Sequence, residues 1–300
     1  MDPEVAIVIL AYNNYADTAE CLRSAVEASY PALSLWLVDN GSQDETARRA
    51  AEDFPAVRVV QTGKNLGVAG GFNTGIISAL QAGADYILIL NNDTVMEPDI
   101  IRALVSDAEA HPDHGMLMPK ILYYGARDRI WSIGARYRRF PPAIVMLGLD
   151  EPDTPLFTEA RLLEYAPTCA LLISRRVFET VGLLDPGYFF FYDDWDYSLR
   201  VRAAGYKIAY VPQARLYHKV SRTIQLRGRP PFFWCTWGRS GAHFYRRHGH
   251  PPFLAAVIHL GYLVLREGLR NGPTAIYYFI AGAIEGYRQP LAPFPTVEGS

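Results

Sequence analysis

The chain has 300 residues, 50% hydrophobic and 20% charged, with a formal net charge of -2. It can bury a large core as one α/β domain, alone or with an appendage, which excludes large-scale disorder. The near-neutral balance gives no general attraction to nucleic acid, and no basic tract is denser than Arg136, Arg138 and Arg139. Three scattered cysteines, Cys21, Cys169 and Cys235, fit neither a disulfide framework nor a cysteine-based zinc site, so a reducing cytosol is expected. The opening MDPE runs straight into an apolar segment with no basic flank, so no signal peptide is expected.

The first third alternates strands and helices. VAIVIL (Val5 to Leu10) ends at a polar AYNNY loop, and Ala16 to Glu27 then shows helical spacing of Ala19, Leu22, Ala25 and Val26. LSLWLVD (Leu33 to Asp39) repeats the pattern and closes on NGSQDET, where Ser42 or Asp44 is positioned to cap a helix through Ala47 to Ala51. VRVVQT (Val57 to Thr62) is a third strand, followed by a glycine-rich turn, a helix through Ile76 to Leu80 and the strand YILIL (Tyr86 to Leu90). Strands apolar throughout and separated by helices predict a parallel sheet covered on both faces.

In such sheets ligands sit beyond the carboxyl ends of the strands, and the polar residues fall there. They are Tyr12 and Asn13 after the first strand, Asp39 after the second, Asn65 to Asn73 after the third and Asn91 to Asp93 after the fourth. The segment GKNLGVAGGFNTGI lacks the Lys-[ST] ending of a phosphate loop and the spacing of a dinucleotide fingerprint, and by itself reads as close helix packing. Farther on come a helix (Ile100 to Ala110), a strand around Met116 to Tyr123, and a proline-rich excursion from Phe140 to Pro155 of the kind that often forms a substrate lid.

The run LLDPGYFFFYDDWDYSLRVRAAGYKIAYVPQARLYH sets Asp193, Asp194 and Asp196 behind an aromatic block and ends at His218. Three neighbouring carboxyls raise one another's pKa unless a cation or donors intervene, so positive charge is expected nearby. Arg200 and Arg202 are candidate structural partners of Asp196. The C-terminal part holds two apolar runs, FLAAVIHLGYLVL and TAIYYFIAGAI, each too short as a helix to cross a bilayer core of about 30 Å.

Four segments in order, VILAYNN, LVDNGSQDET, NLGVAGGFNTG followed by LILNNDT, and FFFYDDWDYSLRVRAAGYKIAYVPQARLYH, resemble family 2 glycosyltransferases, most closely a rhamnosyltransferase branch. The resemblance covers roughly Val5 to His218 and implies an inverting enzyme of the GT-A fold, a Rossmann-like, mostly parallel α/β sheet flanked by helices. The division expected is a catalytic domain over residues 1–225 and a C-terminal helical region, membrane-associating or oligomerising, over 226–300.

The resemblance also implies roles. Ala11, Tyr12 and Asn13 line the base and ribose pocket, Asp39 accepts from the pyrimidine imide, and Asn65, Asn73, Asn91 and Asn92 shape the donor site. Asp93, the last acid of a DxD-like motif, and His218 are the implied ligands of Mg2+ or Mn2+, and Asp194 is the implied general base. Asp193, Thr168 and Trp195 are acceptor-side candidates, with Cys169 beside them. Two positions depart from the family pattern: Asn91 where aspartate is usual, and Asp193 where glutamate is commoner.

The expected donor is a dTDP- or UDP-linked sugar. The expected acceptor is a saccharide or polyprenyl-linked saccharide at the cytoplasmic face of the plasma membrane, reached through peripheral contact, with a homodimer as the competing use of the C-terminal helices. A processive synthase is disfavoured by the absence of a QxxRW motif, and a sugar-nucleotide pyrophosphorylase by AYNNY after the first strand. The reading from another class is an inactive nucleotide-sugar-binding or scaffold subunit, against which the retention of Asp93, Asp194 and His218 counts.

Overall fold

Every side chain of strand β1 (Val5–Ala11) is apolar, so it needs cover on both faces and takes the middle of the sheet. It runs parallel to β2 (Leu33–Asp39) on one side and to β4 (Tyr86–Asn91) on the other, with β3 (Val57–Gln61) outside β2. The computed structural model describes residues 2–138, 143–220, 229–249 and 252–297. Arg139, the first residues of the proline-rich excursion and the 225/226 boundary lie outside them.

Helices α1 (Tyr15–Val26), α2 (Thr46–Asp53) and α3 (Gly67–Gln81) make the crossovers. The last corrects the sequence reading, because the glycine-rich stretch is itself helical and begins nine residues before Ile76. Glycine is a poor helix former, but tertiary contact overrides propensity here. A Cβ on Gly71 would lie 2.5 Å from the Leu10 side chain, and one on Gly75 2.4 Å from Val8, so α3 can press on β1 only through glycine. The reading of this segment as close helix packing therefore holds.

Helix α4 (Ile100–Ala110) follows the short strand β5 (Thr94–Met96). Strand β6 (His114–Tyr123) is separated from β4 by β11 (Ala170–Ser174), which is antiparallel to both. Strand β12 (Lys207–His218) is parallel to β6, with β10 (Arg161–Leu163) antiparallel beyond it. Strand β7 (Ala126–Ser132) pairs with β6, and β8 (Ala135–Arg138) and β9 (Ala143–Met146) form a separate hairpin. The C-terminal end of the excursion expected as a lid is tied to the sheet: Lys120, 2% exposed, donates to Asp153 at 2.6 Å, and Arg215 reaches the same carboxylate at 3.2 Å.

Helix α5 (Arg175–Val181) leads toward the acidic run, which forms α6 (Asp193–Ala203). Helices α7 (Pro231–His248), α8 (Pro252–Asn271) and α9 (Pro273–Arg288) follow. α9 lies directly on α7, where a Cβ on Gly282 would fall 1.9 Å from the Cys235 carbonyl oxygen. The chain then returns to the segment between α5 and α6: Leu183 N–H donates to Pro295 O at 2.9 Å, and Phe294 stacks under both Arg200 of α6 and Arg247 of α7 at 4.4 and 4.3 Å. Among the described residues no helix is long and apolar enough to cross a membrane.

Candidate active site

The loops after β1 and β2 are stitched together. Asn13 and Asn14 both adopt left-handed backbone, φ 57° and 63°, a conformation asparagine tolerates better than most residues. Asn13 N–H donates to Ser42 Oγ at 2.8 Å, its Oδ1 accepts from Gln43 N–H at 2.7 Å, and Asn14 N–H donates to Asp44 Oδ2 at 2.9 Å. Neither residue expected to cap α2 takes the N-cap position, which is Glu45; Asp44 just before it accepts from Thr46 N–H at 3.0 Å, whereas Ser42 is used by the Asn13 loop. Ala11 O accepts from Asn40 N–H at 2.8 Å, and Tyr12 beside it is 48% exposed. Asp39, at the end of β2, is 4% exposed, and its Oδ1 has no hydrogen-bond partner among the described residues. An unpaired buried acceptor is costly and needs a donor from elsewhere.

The asparagines divide by use. Asn65 Oδ1 accepts from Gly67 N–H at 2.9 Å and from Asn40 Nδ2 at 3.2 Å. Asn73 is buried, and its amide is taken up at both ends by Leu184: Nδ2 donates to Leu184 O at 2.8 Å, and Oδ1 accepts from Leu184 N–H at 3.1 Å. It thereby ties α3 to the segment leading into α6. Gly67, at φ 75°, lets Val68 N–H reach Phe189 O at 2.8 Å, which makes a second tie. Asn92 Nδ2 donates to Thr18 Oγ1 at 2.8 Å, and Asn91 N–H donates to Cys169 O at 3.0 Å.

Asp93 sits in the turn between β4 and β5, and His218 at the end of β12; the pairing of β5 with β12 brings them together. Both are buried, with His218 Nε2 3.1 Å from Asp93 Oδ1. Neighbouring ligands of an octahedral hard cation with bonds of 2.0–2.1 Å lie about 2.9 Å apart, so the pair fits such an ion with little movement. His218 Nδ1 is buried with no hydrogen-bond partner among the described residues, and Trp131 packs edge-on at 4.5 Å. Without a cation the proton therefore belongs on Nε2, facing Asp93.

The acidic cluster separates into three environments. Phe191 and Tyr192 enter α6 with left-handed φ of 68° and 66°, strained for aromatic residues, and such strain tends to be kept where a site needs it. Asp194, at the first turn, is half-buried; its Oδ2 accepts from the Tyr165 hydroxyl and its Oδ1 from Trp195 N–H at 2.8 Å. Burial raises its pKa to about 6, although both bonds favour the charged form. Asp193 is 4% exposed and accepts from Thr168 Oγ1 at 3.0 Å; burial, then the neighbouring Asp194 charge, pushes it to about 8. Asp196 is fully buried between Arg200 Nε at 2.8 Å and His248 Nε2 at 2.7 Å, whereas Arg202 is exposed. The positive charge expected near this cluster is therefore Arg200, supplied within the same helix.

Trp195 is 5% exposed and packs on Phe244 at 4.4 Å and Tyr137 at 5.2 Å. Cys169 links the two halves of the site. It is buried, and its thiol is pushed well up by burial and then by the charges of Asp93 and Asp194, so both acids lie close to it. Sequence reasoning passed over Tyr165 and a second buried cluster: Asp185 accepts from His243 Nε2 at 2.9 Å and pairs with Arg247 Nε at 2.8 Å. No local pattern announced either, since the partners come from distant elements.

Residues 3–234 match a family model described as glycosyltransferase like family 2. A relative from Mycobacterium tuberculosis, N-acetylglucosaminyl-diphospho-decaprenol L-rhamnosyltransferase, is 31% identical over 77% of this chain and 80% of its own length. The dTDP-rhamnosyl transferase RfbF of Shigella flexneri is 24% identical over 76% of this chain and 73% of its own. Among solved structures, a mannosyltransferase from Pyrobaculum calidifontis in complex with GDP-Man and Mn2+ superposes with a TM-score of 0.58 at 17% identity, over 96% of this chain and 88% of that one. GalNAc-T7 with UDP, GalNAc and Mn2+ gives 0.60 at 16% identity, over 72% and 44%. These likenesses agree with the GT-A type of fold.

Proposed function

The chain belongs to glycosyltransferase family 2, and on that premise we propose that it moves a sugar from a dTDP- or UDP-linked donor, dTDP-rhamnose first, to a hydroxyl of a lipid-linked saccharide in cell-surface polysaccharide synthesis. The names of the two rhamnosyl-transferring relatives support the donor, and the diphospho-decaprenol in the first supports the acceptor. The observation that carries the reading is two acids near Cys169 in different surroundings: Asp93 paired with His218, and a half-buried Asp194 bonded to Tyr165.

Asp39 is the acceptor for the imide N–H of uracil or thymine, since its Oδ1 lacks a protein donor. Tyr12 and Asn13 border the base and ribose, on a loop that the Ser42, Gln43 and Asp44 bonds hold in shape. Asn65 and Asn73 act by fixing the loops around the donor, Asn91 and Asn92 by holding the turn that presents Asp93. Asp93 and His218 would hold Mg2+ or Mn2+, which supplies Lewis-acid stabilisation of charge on the leaving diphosphate. Asp194 takes the proton of the acceptor hydroxyl as that oxygen attacks the anomeric carbon; its lifted pKa suits the task near neutral pH. One displacement of this kind inverts the anomeric centre. Asp193 and Thr168 brace the base, and Trp195 forms the floor beneath the acceptor.

Calorimetry with UDP- and dTDP-sugars, with and without Mn2+, tests the donor, and the same panel on Asp194→Asn tests the base. The variant is expected to bind donor and lose transfer by at least about 100-fold. Absence of metal-dependent donor binding in the wild type would favour a scaffold subunit, and full transfer by the variant would remove Asp194 as the base.

A further inference from the structure

Helices α7, α8 and α9 enclose a groove of about 470 Å³ that the transfer chemistry does not use. Its walls are Val257, Leu260 and Val264 from α8 and Phe279, Ile280 and Ile284 from α9, with Ala242 of α7 at the base. The volume falls within the range of ligand pockets, and the lining is almost free of polar atoms. Val257, Ile280 and Ile284 remain 51%, 43% and 48% exposed, an amount of open apolar surface that marks a binding site more often than a bare face.

Two features narrow the occupant. At one end, where α9 finishes, the groove is bordered by Tyr287 and the exposed Arg288. An apolar groove bordered at one end by a guanidinium suits a hydrocarbon chain that ends in phosphate. The floor is also continuous with the catalytic helix. Leu260 packs against the cluster that contains Tyr192, Trp195 and Phe244, and Trp195 is the residue after Asp194 on α6.

Resting on the acceptor reading above, we infer that this groove binds the first isoprene units of the acceptor's polyprenyl chain, with Arg288 facing its diphosphate. Apolar burial supplies the affinity, and Arg288 sets the direction of the chain.

The test uses the full chain and a diazirine-bearing geranylgeranyl diphosphate as photoreactive ligand, with labelled sites mapped by peptide mass spectrometry. Label is expected on α8 and α9 residues of the groove, displaced by decaprenyl phosphate but not by inorganic pyrophosphate or by phosphatidylglycerol vesicles. Gly261 lines the groove, and an added Cβ there meets nothing within 4 Å, so Gly261→Trp is chosen to fill it, with thermal unfolding checking that the variant is folded. It is expected to cut labelling about tenfold and to lower by a similar factor the ratio of kcat/KM for a decaprenyl-linked over an octyl-linked acceptor. Ile284→Ser is expected to act in the same direction.

Displacement by vesicles with label spread over the outer faces would make the surface a bilayer contact and overturn the inference. Loss of label with rising protein concentration, together with a dimer in sedimentation, would give the groove to a second copy and overturn it equally. Groove labelling without transfer to either acceptor would retain the groove and reject the acceptor reading, whereas transfer with an unchanged acceptor ratio in both variants would do the reverse.

Discussion

The hydroxyl of Tyr165 donates to Asp194 Oδ2, joining the segment before β11 to the first turn of α6 across 29 residues of sequence. It stabilises the charged carboxylate against a burial that raises its pKa to about 6. Tyr165 itself is buried, and its phenol is pushed well above its ordinary value by burial and by the Asp194 charge, so it remains the donor throughout the working pH range.

Tyr165→Phe removes a bond that favours the ionised form, so the pKa of Asp194 rises further. The acid limb of the kcat profile, expected near pH 6 in the wild type, should move to higher pH, with recovery of rate in alkaline buffer. Profiles of kcat and kcat/KM against pH for the two proteins measure this. A loss of rate equal at every pH would show that the tyrosine only shapes the loop.

Asp39→Asn replaces an unpaired buried acceptor by an amide that the thymine or uracil imide pairs with less strongly. Affinity for dTDP and UDP should fall by about 10- to 100-fold, the weight of a hydrogen bond to a charged group, with little change for GDP. Calorimetry on the three nucleotides distinguishes base recognition from general weakening.

Asp193 trades stability for placement. Its pKa is about 8 when folded against an ordinary 3.8, so the native state binds the proton more tightly than the unfolded chain and loses stability as pH rises between those values. Asp193→Asn keeps an oxygen for Thr168 and removes that penalty. Its Tm should exceed that of the wild type by about 2 °C or more at pH 8, with little difference at pH 4, by scanning calorimetry at both.

Asp185 has the opposite sign. Burial opposes its ionisation, but His243, the Gly187 N–H and Arg247 outweigh it and hold the carboxyl below its ordinary 3.8. Its contribution is complete above that value and lost as acid takes the pH through the lowered pKa. Asp185→Ala strands His243 and Arg247 in a buried setting and should cost about 3–5 kcal/mol at pH 7, read by denaturant unfolding.

The sequence made the first half of the fold legible because its signals there are local. Apolar runs bounded by polar loops mark β1 to β4, and LSLWLVD coincides with β2, as Ile100 to Ala110 does with α4. The start of α3 was hidden because glycine argues against helix, and only contact with Leu10 and Val8 explains it. The antiparallel insertion of β11 was hidden as well, since an apolar five-residue run does not encode direction. Asp39, Asp194 and His218 stand at strand and helix ends, and Asp93 in the turn between β4 and β5. What was illegible is their support: Tyr165 for Asp194, Leu184 for Asn73, and His248 for Asp196 all lie far along the chain.

The return of residues 289–297 to α6 and the segment before it means that the three last helices are fastened at two places, through His243, Arg247 and His248 of α7 and through Phe294 and Pro295 after α9. A clasp of this kind makes the C-terminal segment part of the support of α6, since Phe294 reaches Arg200 and His248 reaches Asp196. Truncation before residue 294 is therefore expected to disturb the helix that carries Asp194, although it removes nothing from the first turn of that helix.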